Sequence, residues 1–174
     1  MTDTLPKVSV VCAWYNRADY IRETVDSLLA QDYPNFDITV VNDGSTDPCV
    51  RELLDSYDDP RLRVIHQDNT GFTRAIRHAI DESDGEYIAI QGAGDVSLPG
   101  RLSAQVAHLE TNNKVVVSAS VYELIEEHTQ RVIMCKKAPT ILTEQDLRKS
   151  MPITHGTFVY RRTTYEKVNG YNSL

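Results

Sequence analysis

The chain has 174 residues, enough for one complete hydrophobic core, and with 41% hydrophobic and 25% charged residues it has the composition of a water-soluble globular domain. A net charge of -7 argues against a general nucleic-acid binder, which would present a basic face, and no apolar run approaches the length of a bilayer span. Cys12, Cys49 and Cys135 lack paired spacing, which sets aside a disulfide framework or a zinc motif and fits a reducing compartment. With Asp3, Pro6 and Lys7 interrupting the start, no signal segment is expected, and the expected location is cytoplasmic. Any membrane contact is expected to be peripheral, at the inner face, or made by sequence outside this chain.

The first element is the near-continuous apolar run Val8 to Ala13, the pattern of a strand covered on both faces. Asn16 is placed to cap the next helix, in which Ile21, Val25, Leu28 and Leu29 form one apolar stripe. Pro34 and Asn35 end that helix, and Phe36 to Val41 reads as a second strand running into Asn42-Asp43-Gly44-Ser45. Asp47 with Pro48 marks a helix start, and Val50, Leu53, Leu54 and Tyr57 supply its stripe. Leu62 to His66 is a third strand, and Phe72, Ala75, Ile76, Ala79 and Ile80 predict a third helix closed at Asp84-Gly85. Tyr87 to Gln91 is a fourth strand, ending in Gly92-Ala93-Gly94-Asp95.

The second half is mixed. A helix starts at Pro99 with Leu102, Val106 and Leu109 inside, and Lys114 to Tyr122 and Arg131 to Lys137 are expected to pair antiparallel. Thr143 caps a short helix, Glu144 to Lys149, and a strand at Thr157 to Arg161 precedes a short helix around Tyr165 and Val168. The βαβα order of the first hundred residues predicts an α/β fold with a mainly parallel sheet flanked by helices and a small antiparallel part later. One domain is expected, with residues 1–100 as a nucleotide-binding half and 101–174 as the half facing the second substrate.

Open parallel sheets bind ligands beyond the carboxyl ends of their strands. Tyr15 after the first strand and Asp43 after the second offer a stacking ring and a hydrogen-bonding carboxylate, a pair suited to a nucleobase. Either residue alone reads more simply as a core tyrosine or a turn aspartate.

The segments KVSVVCAWYNRADYIRETVDSLLAQDYPNFDITVVNDGSTD, NTGFTRAIRHAI, GEYIAI, DVSLPGRL and HGTFVYRRTTYEKVNGY together resemble family 2 glycosyltransferases of the GT-A, Rossmann-like fold. The resemblance implies inverting transfer of a sugar from a nucleotide-diphosphate sugar, chiefly a UDP-sugar, to a saccharide or lipid-linked acceptor. It implies Ala13, Tyr15 and Asp43 around the base, with Asn16, Gly71 and Arg74 also on the nucleotide side. Arg77 shares Arg74's choice between a phosphate contact and a solvated helix charge. It also implies Mg²⁺ or Mn²⁺ on the donor diphosphate. Here the chain departs from the family's Asp-x-Asp pattern, since Gly92 and Gly94 stand at both acidic positions and Asp95 alone is left to bind metal. Asn42 replaces a second acid before the Asp-Gly-Ser turn, and Ala13-Trp14 replaces a Pro-Thr-like pair. His155 is expected on the acceptor side, and the family's catalytic base is expected downstream of Leu174, as in a truncated transferase. A non-catalytic nucleotide-sugar-binding domain is the alternative. A sugar nucleotidyltransferase ranks lower, because residues 14–18 carry no glycine.

Overall fold

The computed structural model describes residues 5–126, 128–136, 143–149 and 153–172. Strand β1 (Val8–Trp14) is buried along almost its whole length and lies between β2 (Phe36–Asp43) and β4 (Tyr87–Gln91), parallel to both. Beyond β2 lies β3 (Leu62–Gln67), also parallel. The far edge is antiparallel: β8 (Phe158–Arg161) pairs with β4 and with β5 (Val117–Ala119), giving the order β3-β2-β1-β4-β8-β5. The chain reverses its direction of winding at β1, so a crevice opens there beyond the strand ends.

Alternation along the strands divides the core into two. Val8, Val10, Cys12 and Trp14 face α1 (Ile21–Leu29), α2 (Pro48–Asp55) and α4 (Arg101–Thr111). Val11, Val41, Ile88 and Ile90 face α3 (Phe72–Asp81), whose Ala75, Ile76, Ala79 and Ile80 are all buried. The apolar stripes read from the sequence are the faces that cover the sheet, except that Phe72 is 55% exposed. Asp47 caps α2 by accepting from the Cys49 N–H at 3.0 Å, with Pro48 at the first helical position. Thr143 caps α5 (Glu144–Lys149) in a reciprocal pair, its Oγ1 accepting from the Asp146 N–H while Asp146 Oδ2 accepts from the Thr143 N–H.

Three expectations are corrected. Asn16 does not cap α1; it adopts a left-handed conformation (φ 56°), and a 3₁₀ turn at Ala18–Tyr20 leads into the helix instead. The Pro99 helix begins at Arg101, with Gly100 left-handed ahead of it. The antiparallel pair is the hairpin β6 (Tyr122–Ile125) and β7 (Val132–Lys136), while Val117–Ala119 joins the main sheet through β8. Lys137 lies outside the described residues. The last helix, α6 (Arg162–Lys167), packs on β8. No helix among the described residues is long and apolar enough to cross a membrane.

Candidate active site

Two adjoining cavities lie at the carboxyl ends of the parallel strands, and Phe72 forms part of the wall of both. The smaller, about 280 Å³, is lined by Ala13, Trp14, Tyr15, Asp43, Asn69, Gly71 and Phe72. The larger, about 400 Å³, is lined by Asp95, His155, Gly156 and Tyr171 together with Phe72, Ile76 and Ile90. Ala13, Tyr15, Asp43 and Gly71 are thus brought to one cavity, and Asp95 and His155 to its neighbour.

Asp43 ends β2 opposite Gln67 of β3 and is only 3% exposed. Its Oδ1 accepts from Gln67 Nε2 at 2.7 Å and from Thr70 N–H and Oγ1 at 2.8 and 3.1 Å. Among the described residues its Oδ2 accepts one bond, from the Gly71 N–H at 2.9 Å, and keeps further acceptor capacity. Burial pushes this carboxyl's pKa upward, but the bonds from Thr70, Gln67 and Gly71 outweigh it and hold the group below its ordinary value. The Asp43 carboxylate is therefore also the anchor of loop 67–71, not a local turn residue. Gly44 follows in a left-handed conformation (φ 69°), and a Cβ there would stand 2.4 Å from the backbone nitrogen of Asn69, so the two loops cross where only glycine fits. Gly71 is needed for its φ of 88° alone, since its Cβ would meet nothing.

Tyr15 is 48% exposed and lines the smaller cavity, as does the fully buried Trp14. Asn16 lines neither cavity. Its Oδ1 accepts from the Thr46 and Asp47 backbone N–H groups at 2.9 and 3.3 Å, and its own N–H donates to Ser45 Oγ at 2.8 Å. These bonds hold Asn16 and Arg17 in consecutive left-handed conformations, a strained pair that persists because the surroundings fix it. Asn16→Ala is expected to lower stability by about 1–2 kcal/mol in urea unfolding and to weaken nucleotide affinity only through loosening of Tyr15. Loss of affinity at unchanged stability would instead make Asn16 a ligand contact.

Arg74 is exposed on α3 and lines neither cavity, whereas Arg77 reaches the Tyr171 carbonyl at 3.2 Å and ties α3 to the segment after α6. Asn42 is spent on the fold: its side chain bonds His66 Nδ1 at 3.0 Å and accepts from the Ser45 N–H at 3.2 Å.

Around Asp95 the loop is stitched from beneath. Gln91 Nε2 donates to the Asp95 carbonyl at 2.7 Å, and Gln91 Oε1 accepts from Ser97 Oγ and Arg101 Nη1. Arg101 also donates to Ser97 Oγ, Gln105 Oε1 and the carbonyls of Ile90 and Gly156. Burial pushes this guanidinium down to about 10, and the nearby Asp95 charge works the other way, so it remains a cation at neutral pH. The Asp95 carboxylate lies between two glycines: a Cβ on Gly92 would sit 2.2 Å from its Oδ2, and one on Gly156 3.3 Å. Gly92 therefore leaves the room that Asp95 fills. The donor set for a divalent ion is one exposed carboxylate, and no group of three His, Cys, Asp or Glu residues gathers among the described residues. That set fits an ion sharing its ligands with a bound diphosphate rather than a resident ion.

Two residues of these walls escape a reading of the sequence. Phe72 sits in register with the apolar stripe of α3 and reads as core, yet it stands between the cavities with its ring edge-on to His155 at 5.8 Å. Tyr171 bonds His155 Nε2 through its hydroxyl at 2.6 Å, a contact across sixteen residues that no local pattern announces.

A mainly parallel α/β sandwich with a base-sized pocket at the β1–β2 ends and a carboxylate after β4 has the form of a nucleotide-using transferase domain. The model of "Glycosyl transferase family 2" matches residues 9–168, and the chain belongs to that family. The chain is 30% identical over 172 residues to the putative glycosyltransferase EpsE of Bacillus subtilis, covering 97% of this chain and 61% of the relative. An uncharacterized glycosyltransferase of Haemophilus influenzae is 30% identical over 178 residues, covering 95% and 54%. The chain thus spans less than two thirds of these relatives. The fold matches a mannosyltransferase of Pyrobaculum calidifontis solved with GDP-Man and Mn²⁺ (TM-score 0.71, 22% identity, 98% of this chain and 48% of that one). It also matches S. aureus TarS 1–349 in complex with UDP-GlcNAc (TM-score 0.70, 22% identity, 96% and 48%). The GT-A expectation and the α/β sandwich are both borne out.

Proposed function

We propose that residues 1–174 form a single donor-binding domain, with the nucleotide held by the first hundred residues and the sugar acceptor met by the rest. It serves inverting transfer of a sugar from a nucleotide-diphosphate sugar, a UDP-sugar first, to a saccharide or lipid-linked acceptor. The observation that carries this is the convergence of the Tyr15 ring and the Asp43 carboxylate on one cavity beyond a parallel sheet. A uracil ring stacks on Tyr15 while its imide N–H donates to Asp43 Oδ2, the oxygen with acceptor capacity left. The diphosphate then runs past Phe72 toward Asp95, where Asp95 and the phosphate oxygens together would hold Mg²⁺ or Mn²⁺. Such an ion supplies charge neutralisation to the leaving nucleoside diphosphate. That TarS was solved with UDP-GlcNAc and the mannosyltransferase with GDP-Man and Mn²⁺ supports a nucleotide-sugar donor for a domain of this shared fold.

The glycines at 92 and 94 favour a second reading, a binding domain without turnover, because a site with one carboxylate holds metal weakly. Titration calorimetry with UDP and GDP, with and without Mn²⁺, separates the two. The transferase reading expects Mn²⁺ to tighten UDP binding by about tenfold or more, equal to about 1.4 kcal/mol, and Asp95→Asn to erase that gain while leaving metal-free affinity intact. Nucleotide binding indifferent to metal leaves both readings standing, to be separated by turnover of a UDP-sugar, and absence of binding to either nucleotide removes both.

A further inference from the structure

His155 and Tyr171, which line the larger cavity, are joined to the buried Tyr160 in a chain of hydrogen bonds whose direction can be worked out. Tyr160 is 5% exposed, and its hydroxyl has one partner among the described residues, the Tyr171 hydroxyl at 3.0 Å. The Tyr171 hydroxyl has a second partner, His155 Nε2, at 2.6 Å. A buried O–H must find an acceptor, so Tyr160 donates to the Tyr171 oxygen, and Tyr171 spends its own hydrogen on Nε2. The reverse direction, Nε2–H to Tyr171 and Tyr171 to Tyr160, leaves the Tyr160 hydrogen buried without an acceptor and is the costlier arrangement.

An imidazole that accepts at Nε2 carries its proton on Nδ1. Burial lowers the His155 pKa, which keeps the ring neutral at pH 7 and preserves this arrangement. No described residue pairs with Nδ1, while the ring lines the cavity that also holds Asp95. Its orientation is fixed by edge contacts to Phe72, Phe158 and Tyr171, with ring centroids 5.8, 5.4 and 5.2 Å away. With Nδ1 unpartnered among the described residues and the ring lining this cavity, the Nδ1–H is left for a ligand bound there.

We infer that His155 acts as a neutral Nδ1–H donor to an oxygen of the donor substrate in the larger cavity. It is not a proton acceptor, because its one lone pair is already taken by Tyr171. This rests on the donor-binding reading above, and it narrows His155 from a general acceptor-side residue to a contact with a diphosphate oxygen or a sugar oxygen.

Long-range ¹H–¹⁵N correlation spectra of the free protein report the tautomer without any ligand. Nδ1–H is expected for His155, and Tyr171→Phe, which removes the donor to Nε2, is expected to shift the ring toward Nε2–H. Affinity supplies the second arm, with melting temperatures recorded for every variant. The amide nitrogen of asparagine stands as many bonds from the backbone as Nδ1, and that of glutamine reaches toward Nε2. His155→Asn is thus expected to bind within about threefold of the wild type, and His155→Gln to lose about tenfold. A loss seen with UDP but not UMP places the contact on the diphosphate; a loss seen only with UDP-GlcNAc places it on the sugar. An Nε2–H signal in the wild type, or equal losses in the two variants, overturns this assignment alone. A wild type that binds none of these nucleotides overturns the donor reading and this assignment together.

Discussion

Replacing Asp43 by alanine is expected to lower both the stability of the domain and its hold on nucleotide. Four donors converge on this carboxylate from Gln67, Thr70 and Gly71, and the group is almost wholly buried. Alanine leaves these donors unpaired and frees the loop that closes one side of the smaller cavity. A cost of about 2–4 kcal/mol in urea unfolding follows, with UDP affinity reduced by about 100-fold or more in calorimetry. The pH dependence has a definite sign. The folded-state pKa is depressed, so the stabilisation is fully present above the unfolded carboxyl value of about 3.9 and is lost as pH falls through the lower folded value. The gap between wild type and variant should hold steady from pH 5 to 8 and narrow below pH 4. Asp43→Asn should fall between the two, since its amide NH₂ meets the Gly71 N–H where a carboxylate oxygen accepted it. Unfolding midpoints that coincide for wild type and alanine variant would show that the loop is held by something else.

The sequence made the layers legible because each strand and helix repeats its apolar residues at a period that packing requires. Val8 to Ala13 reads as a strand buried on two faces, and the stripes of α1, α2, α3 and α4 name the residues that cover it. The pairing of Tyr15 with Asp43 was legible for the same reason, as both follow directly from parallel neighbours that end at one level. What escaped depends on distance in sequence. Asn16 has the residue type and place of a helix cap, but its carbonyl finds the backbone of Thr46 and Asp47, thirty residues on, before it finds α1. Phe72 fits the helical period and is still exposed, because as the first residue of α3 it stands at the cavities beyond the strand ends rather than over the sheet. The antiparallel strands were misplaced because Val117–Ala119 is recruited by β8, which arrives forty residues later.

Arg101→Met is expected to be the most damaging change beneath the larger cavity. The guanidinium donates to Gln91, Ser97, Gln105 and the carbonyls of Ile90 and Gly156, all neutral, and Asp95 is the carboxylate whose field reaches it. Methionine matches the stem and fills the space, but it leaves buried oxygens without donors, for a loss of about 3 kcal/mol in urea unfolding. Lysine keeps the charge, yet three donors on one nitrogen cannot serve acceptors spread over β4, α4 and the residue after His155, so most of that loss should persist. The functional consequence follows from the same bonds. Arg101 holds the Gly156 carbonyl and, through Gln91, the loop that carries Asp95, so it sets the slot between Gly92 and Gly156 in which the carboxylate lies. The Mn²⁺-linked gain in UDP affinity should therefore shrink in Arg101→Met, while metal-free binding at Tyr15 and Asp43 changes little under conditions where the variant is folded. A variant with wild-type stability and an undiminished metal response would mean that Asp95 keeps its place without the cation beneath it.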